Sequence, residues 1–464
     1  MIPPPSDVDF LIVLIRKALQ ILGVLLAVLL IGLACCVVPI DRTPYQQMAY
    51  YQREKTLLRQ LAAQPKPHPG AGLRAGWAKV NLTPTYATPT AGYGNRRGNF
   101  EGVHDSIFAR AIVLDNGSLR VALVSVDLLI VPPTITAQLK KKLPTIGFSL
   151  ERTYLAATHT HNSLGAWGER FIGEVFAGQY DQRVVDHITN AIVRAVNAAQ
   201  RQLAPARVGH DRVAAPEFVY NRLLGEKEVA EDPFVRLLKL RKNTGETALL
   251  CTYAAHATCL SASQKQLSRD YPGQLVDALE KKDRASVDFA VFMAGAVGSQ
   301  GPDEPHPDDF QQMRNLANGL DQKIEAQLER IPMRADSTLR ILSLPLALRE
   351  PHWKLARNWR MRPWFFGWLY GDYPSEIKAL RIGNVALLGT PCDFSGELVR
   401  NFDAVCRQKG VDLMVTSFNG GYVGYITKDE HYDLDKYETR VMNWFGPYNA
   451  AYFGELMTEL IRII

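Results

Sequence analysis

Cysteine is scarce in this sequence, with six among 464 residues, and no two cysteines have the spacing of a CxxC motif. Cys35 and Cys36 are neighbours inside an apolar run. The other four are Cys251, Cys259, Cys392 and Cys406. This distribution argues against a cysteine zinc site and against a fold held by a disulfide framework. One disulfide bond would be compatible with the spacing, but nothing in the sequence requires it.

The sequence also lacks blocks of basic charge and motifs for binding nucleic acid. Its net charge is +6, and 47% of its residues are hydrophobic and 22% charged, as in ordinary globular proteins with a large core. A mild positive charge slightly favours anionic surfaces such as membranes. We therefore expect no nucleic-acid partner.

From Leu73 to Ile464 the sequence contains no linker, repeat or low-complexity segment. Apolar segments typical of strands alternate with helical ones such as Arg183–Leu203, whose apolar residues recur at helical spacing. The turn Asp115-Asn116-Gly117 predicts a hairpin between strands 108–114 and 119–126. Residues 73–464 are therefore predicted to form one mixed-sheet α/β domain.

One long apolar run lies near the N-terminus, from Ala18 to Ile40, and only Gln20 interrupts it. As a helix it is long enough to cross a hydrocarbon core about 30 Å thick. A cleaved signal peptide fits less well, because the run is too long and no clean small-x-small site follows. Lipoprotein-type cleavage before Cys35 is a second alternative. After a short tail (1–17), we expect residues 18–40 to form a transmembrane signal anchor.

The basic residues around this run do not decide its orientation. Arg16 and Lys17 favour an inside N-terminus, but further basic residues follow the run. The large domain after it favours the periplasmic or extracellular side for that domain. Residues 41–72 are predicted to be a stalk, with a polar helix that starts at Thr43-Pro44 and a stiff proline-rich linker over 64–70.

A pair of histidines, His159 and His161, directly follows the apolar segment 153–157. Side chains at positions i and i+2 of a strand point to the same side, so both imidazoles are expected to face one point. Neutral imidazoles so placed suit a metal ion and a reacting carbonyl. The alternative is that both are hydrogen-bonded polar residues at the entrance of a loop.

Other polar side chains share this position just after an apolar strand. They are His256 after 248–255, Ser299 after 289–293 and Asp393 after 385–388. In α/β folds, sites gather outside strand ends, where polar groups converge without burying unpaired charge. The sequence therefore predicts one pocket that these residues share.

Aromatic and basic residues crowd into one segment, 353–370. Its aromatic members are Trp353, Trp359, Trp364, Phe365, Phe366, Trp368 and Tyr370, and its basic members are Lys354, Arg357, Arg360 and Arg362. This mixture suits a membrane interface. The alternative is a helix hairpin in the core, because tryptophans are mostly buried.

Several short motifs occur in a fixed order along the chain. They are Gly102-Val103-His104-Asp105, Ala109-Arg110-Ala111, Ala157-Thr158-His159-Thr160-His161, Tyr220-Asn221-Arg222, Ala255-His256-Ala257-Thr258, Pro391-Cys392-Asp393-Phe394, Tyr425-Ile426-Thr427, Tyr437-Glu438 and Gly446-Pro447. This series resembles the neutral (non-lysosomal) ceramidase family, from about Gly76 to Tyr452. The resemblance implies a zinc-dependent amidohydrolase that acts on a ceramide-like lipid.

The resemblance also implies roles for seven residues. Zn²⁺ would be bound by His159, His256, Asp393 and Tyr425, and the residues beside it would be His161, Arg222 and Tyr437. These three would donate hydrogen bonds to the developing oxyanion, and His161 would protonate the leaving amine. Common structural roles of these residue types are the alternatives: the Tyr425 hydroxyl could cap a turn, and Arg222 could form an ion pair at the surface.

The chain departs from the family pattern in three places. Asp393 stands where the family usually has Glu, so Glu397 one helical turn later is an alternative ligand. Gly301 occupies the position of a serine once assigned as nucleophile, so we expect metal-activated water rather than an acyl-enzyme on Ser299. The chain ends before the family's C-terminal immunoglobulin-like domain. His104 could contact the site or a second cation, or belong to a structural turn.

The sequence therefore predicts a mixed-sheet α/β hydrolytic domain, with a zinc site at the strand ends and one transmembrane helix before it. The expected activity is cleavage of the N-acyl bond of ceramide or a related lipid. Two alternatives are a zinc hydrolase of a different amide or ester, and a lipid-binding relative without activity.

Overall fold

The computed structural model describes residues 7–65, 70–225, 231–281, 287–303, 305–372 and 374–464, with side chains from Phe10 onward. The middle of the predicted proline-rich linker, residues 66–69, lies outside this set. The α-helices are α1 (Asp7–Cys36), α2 (Ala49–Ala63), α3 (Pro133–Lys142), α4 (Arg170–Ala177), α5 (Gln182–Gln200), α6 (Asp270–Leu279), α7 (Asp309–Leu328), α8 (Pro363–Tyr370), α9 (Val399–Gln408) and α10 (Asn449–Ile463).

The strands of the described residues fall into two main sheets, one short three-stranded sheet and several two-stranded pairs. They are β1 (Val37–Pro39), β2 (Arg74–Asn81), β3 (Thr90–Ala91), β4 (Gly102–Val103), β5 (Phe108–Asp115), β6 (Arg120–Val126), β7 (Thr153–Ala157), β8 (Ser163–Leu164), β9 (Ala204–Ala214), β10 (Val219–Asn221), β11 (Phe234–Lys242), β12 (Thr247–Tyr253), β13 (Gln266–Leu267), β14 (Phe289–Ala294), β15 (Gln300–Pro302), β16 (Leu339–Pro345), β17 (Lys354–Ala356), β18 (Trp359–Met361), β19 (Glu376–Ile382), β20 (Val385–Gly389), β21 (Asp393–Phe394), β22 (Asp412–Thr416) and β23 (Tyr425–Ile426).

The larger sheet has eight strands in the order β14-β12-β11-β9-β2-β5-β6-β7. Its two outer pairs, β12–β14 and β6–β7, are parallel, and the pairs between them are antiparallel. The predicted hairpin is present, because β5 and β6 pair across the turn that Asp115 and Asn116 hold with side-chain hydrogen bonds. The expectation of a mixed-sheet α/β fold is confirmed.

The smaller sheet has four strands in the order β16-β19-β20-β22 and packs face to face on the larger one. Alternation of side chains along each strand gives it two apolar faces. Leu380 faces the larger sheet, whereas its neighbour Ala379 faces α9 and α10. Helices α3 and α5 cover one half of the larger sheet's other face, and α6 and α7 cover the other half.

Helix α2 packs onto the C-terminal part of the chain. Tyr50 and Leu58 are buried against α10, and the buried Glu54 accepts a hydrogen bond from the backbone N–H of Ala347. The hydroxyl of Tyr51 donates to Glu455 over 2.8 Å. The segment predicted as a free stalk is therefore folded against the domain, because the tyrosines and leucines of its polar-looking sequence bury one face.

Helix α1 spans residues 7–36, with its described side chains largely exposed, and the part from Phe10 to Cys36 is long and apolar enough to cross a membrane. This composition suits a membrane anchor or a signal sequence. The helix starts before the predicted residue 18 and ends before residue 40. Val37–Pro39 instead form β1, which pairs with β18.

Candidate metal centre

Three imidazole rings meet at one point beyond the ends of β7 and β12. The Nε2 atoms of His159 and His256 are 2.8 Å apart, and the Nε2 atom of His161 lies 3.3 Å and 3.1 Å from them. His159 and His256 are almost fully buried, and His161 is half-buried. The histidines that the sequence predicted to share one pocket are thus brought into direct contact.

The backbone carbonyl at Leu129 fixes the tautomer of His159. That oxygen can only accept, and the Nδ1 atom of His159 lies 2.7 Å from it, so Nδ1 carries the proton. The Nδ1 atom of His256 faces the carbonyl of Val297 over a longer 3.4 Å. With both protons placed there, two Nε2 lone pairs point at each other, an arrangement that a cation between them would relieve.

Burial keeps these imidazoles neutral. It lowers the pKa of His159 to about 3, and it lowers the pKa values of His161 and His256 well below the usual value. The nearby guanidinium of Arg222 acts in the same direction on all three. Neutral imidazole is the form that binds metal ions.

Local backbone geometry and packing set the directions of the His159 and His161 side chains. His159 has a φ of 66°, a left-handed conformation that is costly for a residue with a Cβ, so strand alternation does not continue past Ala157. The ring of Phe418 stacks on His159 with centroids 3.9 Å apart. Gly92 lies so close to His161 that a Cβ there would come within 2.7 Å of its side chain. Packing therefore holds both rings in place.

Asp393 supplies a carboxylate beside the three rings. Its Oδ1 atom lies 3.6 Å from Nε2 of His159 and is buried without a hydrogen-bond partner among the described residues. Its Oδ2 atom accepts a hydrogen bond of 2.5 Å from the hydroxyl of Tyr422. Burial raises the pKa of Asp393 to about 7, and the Tyr422 hydroxyl opposes this rise.

Glu397, the alternative carboxylate, is engaged elsewhere. Its Oε2 atom accepts from the Ser395 hydroxyl over 3.0 Å, and its Oε1 atom accepts from Asn221 over 3.4 Å. The hydroxyl of Ser395 also contacts Ser299, which is fully buried in this network. The geometry therefore favours Asp393 over Glu397 as the acid that faces the histidines. Ser299 belongs to the hydrogen-bond network of Ser395 and Glu397.

Asp393 and Tyr425 are direct neighbours across the parallel pair β21–β23. The phenol of Tyr425 accepts a hydrogen bond of 3.0 Å from Arg222, whose Nε atom also lies 3.0 Å from Glu438. Burial raises the pKa of Tyr425 well above its usual value, and Arg222 opposes this rise. The guanidinium of Arg222 is thus held in the interior by Glu438 and donates a hydrogen bond to the phenol oxygen of Tyr425.

Tyr437 begins a π-helical turn, Tyr437–Val441. The centroid of its ring lies 5.8 Å from that of the Tyr425 ring. Such turns are common at functional sites. Tyr437 is 46% exposed and stands where the cavity approaches the surface. His104 lies apart from this cluster: it is 2.9 Å from Asp105 and stacks on Phe310.

A narrow, largely apolar cavity of about 70 Å³ leads to the cluster. Its walls are Gly92, Leu129, Ile130, His159, His161, Trp167, Ile172, Gly173, Phe176, Tyr370, Asp393, Tyr422, Tyr425, Tyr437, Met442 and Trp444. The cavity therefore combines mostly apolar walls with the polar groups of the cluster, as expected of a site for an apolar ligand with one reactive polar group.

A family model for the N-terminal part of neutral/alkaline non-lysosomal ceramidases matches residues 74–305. The chain belongs to the neutral/alkaline non-lysosomal ceramidase family. Neutral ceramidase of Pseudomonas aeruginosa is 22% identical to this family member over 83% of the chain and 71% of that protein. The resemblance inferred from the ordered motifs is thereby confirmed.

Solved structures share the fold of this family member. A crystal structure of the Pseudomonas aeruginosa neutral ceramidase superposes with a TM-score of 0.73 at 19% identity, over 84% of this chain and 74% of that one. A structure described as ceramidase complexed with C2 gives the same score and covers 75% of its chain.

Two contributors to the site were not assigned a role from the sequence. Tyr422 and Phe418 both follow β22, the same strand-end position that marked the histidines and Asp393. The strand-end rule could therefore have indicated them, but neither residue type is a common metal ligand.

Proposed function

We propose that this protein is a membrane-anchored, zinc-dependent amidohydrolase that cleaves the N-acyl bond of ceramide or a related N-acyl lipid. Family membership makes it a hydrolase of the ceramide amide bond. The observation that supports metal dependence best is the convergence of three neutral imidazoles beside a buried carboxylate oxygen that has no hydrogen-bond partner among the described residues.

The donor set fits zinc. His159, His256, Asp393 and Tyr425 would hold the ion, since imidazole nitrogen and oxygen donors are common zinc ligands. Bound there, zinc would act as a Lewis acid toward the amide carbonyl and would make water a stronger acid. Arg222 would stabilise the deprotonated phenol of Tyr425, and Tyr422 would orient Asp393 so that Oδ1 faces the histidines.

The remaining groups would act on the substrate. Amide hydrolysis adds water to the carbonyl carbon, develops negative charge on the carbonyl oxygen and requires a proton on the departing nitrogen. Tyr437, at the cavity wall, would donate a hydrogen bond to that oxygen. Neutral His161 would take up the proton that the added water loses and pass it to the amine, and its contact with His256 makes a further metal ligand its alternative role.

The cavity walls fit the acyl part of the substrate. Leu129, Ile130, Ile172 and Phe176 give an apolar surface that ends at the polar cluster. Such a channel would hold a hydrocarbon chain by burial and present its amide to the reactive groups. Helix α1 would anchor the domain, residues 73–464, on the periplasmic or extracellular side of the membrane.

Metal analysis and a hydrolysis screen on the purified full chain test this proposal. We expect about one zinc ion per chain and cleavage of N-acyl sphingoid lipids in preference to simple esters. His159→Ala and His256→Ala should lose zinc and activity together, whereas the control His210→Ala, at the surface beside Asp412, should keep both.

Other outcomes would overturn parts of the proposal. Zinc without activity on N-acyl lipids would indicate a hydrolase of a different amide or ester. Absence of zinc and of activity would indicate a lipid-binding relative. His161→Ala would distinguish the two roles of that residue, because loss of zinc would make it a ligand and retained zinc with low activity would make it the acid.

A further inference from the structure

Three elements that line the cavity also carry large apolar side chains on the protein surface, which together are called the apolar rim. This apolar rim consists of Phe171 on α4, Trp364 and Trp368 on α8, and Val441 at the end of the π-helical turn. Their exposed fractions are 61%, 57%, 64% and 46%. Large apolar side chains gathered at a cavity mouth mark a surface that contacts an apolar partner.

Each element of the rim also lines the cavity with its inner face. Helix α4 carries Phe176 inward, and α8 carries Tyr370 inward. On α8, Trp364 and Trp368 are one turn apart and share the outer face, while Phe366 is buried. The same elements therefore present apolar side chains both to the outside of the protein and to the cavity beside the candidate metal centre.

Hydrogen bonds connect the end of helix α1 to the start of helix α8, which carries two residues of the rim. Val37 to Pro39 pair in antiparallel fashion with Trp359 to Met361, and the backbone N–H of Arg362 donates to the carbonyl of Cys36 over 2.7 Å. Arg362 directly precedes the first residue of α8. The last residue of the apolar helix is thus hydrogen-bonded to the residue that starts the tryptophan-bearing helix.

This connection sets where α8 would lie if α1 crosses a membrane. The exposed apolar part of α1, Phe10 to Cys36, ends at Cys36, so that end would lie at the boundary between hydrocarbon and headgroups. Helix α8 begins at that boundary. Tryptophan side chains are enriched there, because their rings are apolar and their N–H groups remain hydrated.

We propose that the apolar rim lies in the interface of the bilayer that holds α1, so that the lipid substrate enters the cavity directly from that bilayer. This inference rests on the proposed function for the membrane anchor and for the identity of the lipid, whereas the contact of the rim with the bilayer has a test of its own. The β1–β18 pairing would hold the cavity mouth against the membrane, and the folded α2 would leave no free stalk to lift it away.

Depth-dependent quenching tests the membrane contact without any assay of activity. The full chain would be reconstituted in phosphatidylcholine vesicles with brominated acyl chains, and its tryptophan fluorescence would be measured. We expect strong quenching in the unmodified chain and loss of most of it in the double variant Trp364→Phe/Trp368→Phe. Equal quenching in the two proteins would overturn the proposal.

Hydrolysis of two substrates tests the route of entry. The double variant Trp364→Ser/Trp368→Ser should cleave long-chain ceramide in phosphatidylcholine vesicles about tenfold more slowly, because less apolar surface enters the interface. Its cleavage of a water-soluble short-chain analogue should not change. The control Val103→Ser, which alters an exposed apolar residue outside the rim, should cleave both substrates normally.

The outcomes separate this inference from the proposed function. An equal loss on both substrates would mean that the tryptophans support the fold or the site, and would overturn the entry route. No hydrolysis of either substrate by the unmodified chain, together with quenching that depends on Trp364 and Trp368, would refute the proposed function and keep the membrane contact. Self-association of the chain through the rim, without quenching, would overturn the membrane contact.

Discussion

The substitution Tyr422→Phe isolates one hydrogen bond at the candidate metal centre. It removes only the hydroxyl that donates to Oδ2 of Asp393 over 2.5 Å, and it leaves the ring that packs near Phe418. The carboxylate would then lose this short hydrogen bond inside a buried site. We expect its Oδ1 atom to be held less well toward His159 and the metal affinity to fall.

Two independent magnitudes agree on the size of this effect. A hydrogen bond to a charged group contributes about 1.5–3 kcal/mol. Removal of a group that orients a metal ligand typically lowers metal affinity about 10–100-fold, which corresponds to roughly 1.4–2.8 kcal/mol. We therefore expect zinc affinity about 10–100-fold lower in the Tyr422→Phe variant.

Competition with a chelator of known affinity measures this change, with hydrolytic activity recorded at saturating zinc. Tyr86→Phe is the matched control, because its hydroxyl is buried without a hydrogen-bond partner among the described residues. It makes the same chemical change and should leave zinc affinity unaltered. Unchanged affinity in Tyr422→Phe would refute the assignment of Asp393 as a ligand oriented by Tyr422.

Three further predictions follow from other contacts. Tyr437→Phe should retain zinc and lower kcat about 10²–10³-fold, whereas Tyr425→Phe should lower zinc affinity itself; equal metal loss in both would contradict the division of roles. Ser299→Ala should keep substantial activity, and an acyl group trapped on Ser299 would contradict this. Burial raises the folded-state pKa of Glu54 to about 7, so its stabilising contribution is complete below about 4.5 and is lost as pH rises through 7. Glu54→Gln should therefore unfold at a higher temperature than the unmodified chain at pH 8.5, with the difference vanishing near pH 4.5.

Positions after apolar strands indicated His159, His256 and Asp393, and the structure brings these side chains together. Strands β7, β12 and β20 have five to seven residues and are buried on both faces, so each is readable as a short apolar run and the positions after it could be found. The convergence of His159 and His256 then follows from the sheet. The pairing that unites Asp393 with Tyr425 involves only two residues on each strand, too few for any periodic pattern to reveal.

Elsewhere, tertiary contacts decided what local pattern could not. The sequence of α2 is polar on average, but a few large side chains, among them Tyr50 and Leu58, bury one face against α10. Residues 37–39 continue an apolar run, yet they leave the helix because β18 offers them backbone partners. The positive φ at His159 likewise accompanies stacking of its ring on Phe418, which lies far away in sequence.

The candidate metal ligands come from two sheets, with two residues from each side. His159 and His256 follow strands of the larger sheet, whereas Asp393 follows β20 of the smaller sheet and pairs with Tyr425. An ion held by all four would therefore tie the two sheets together as a cross-link, in addition to any chemical role. Because a ligand that binds only the folded chain stabilises it by about 2.7 kcal/mol at 100 times its Kd, metal supply would govern how firmly the halves of the domain are joined.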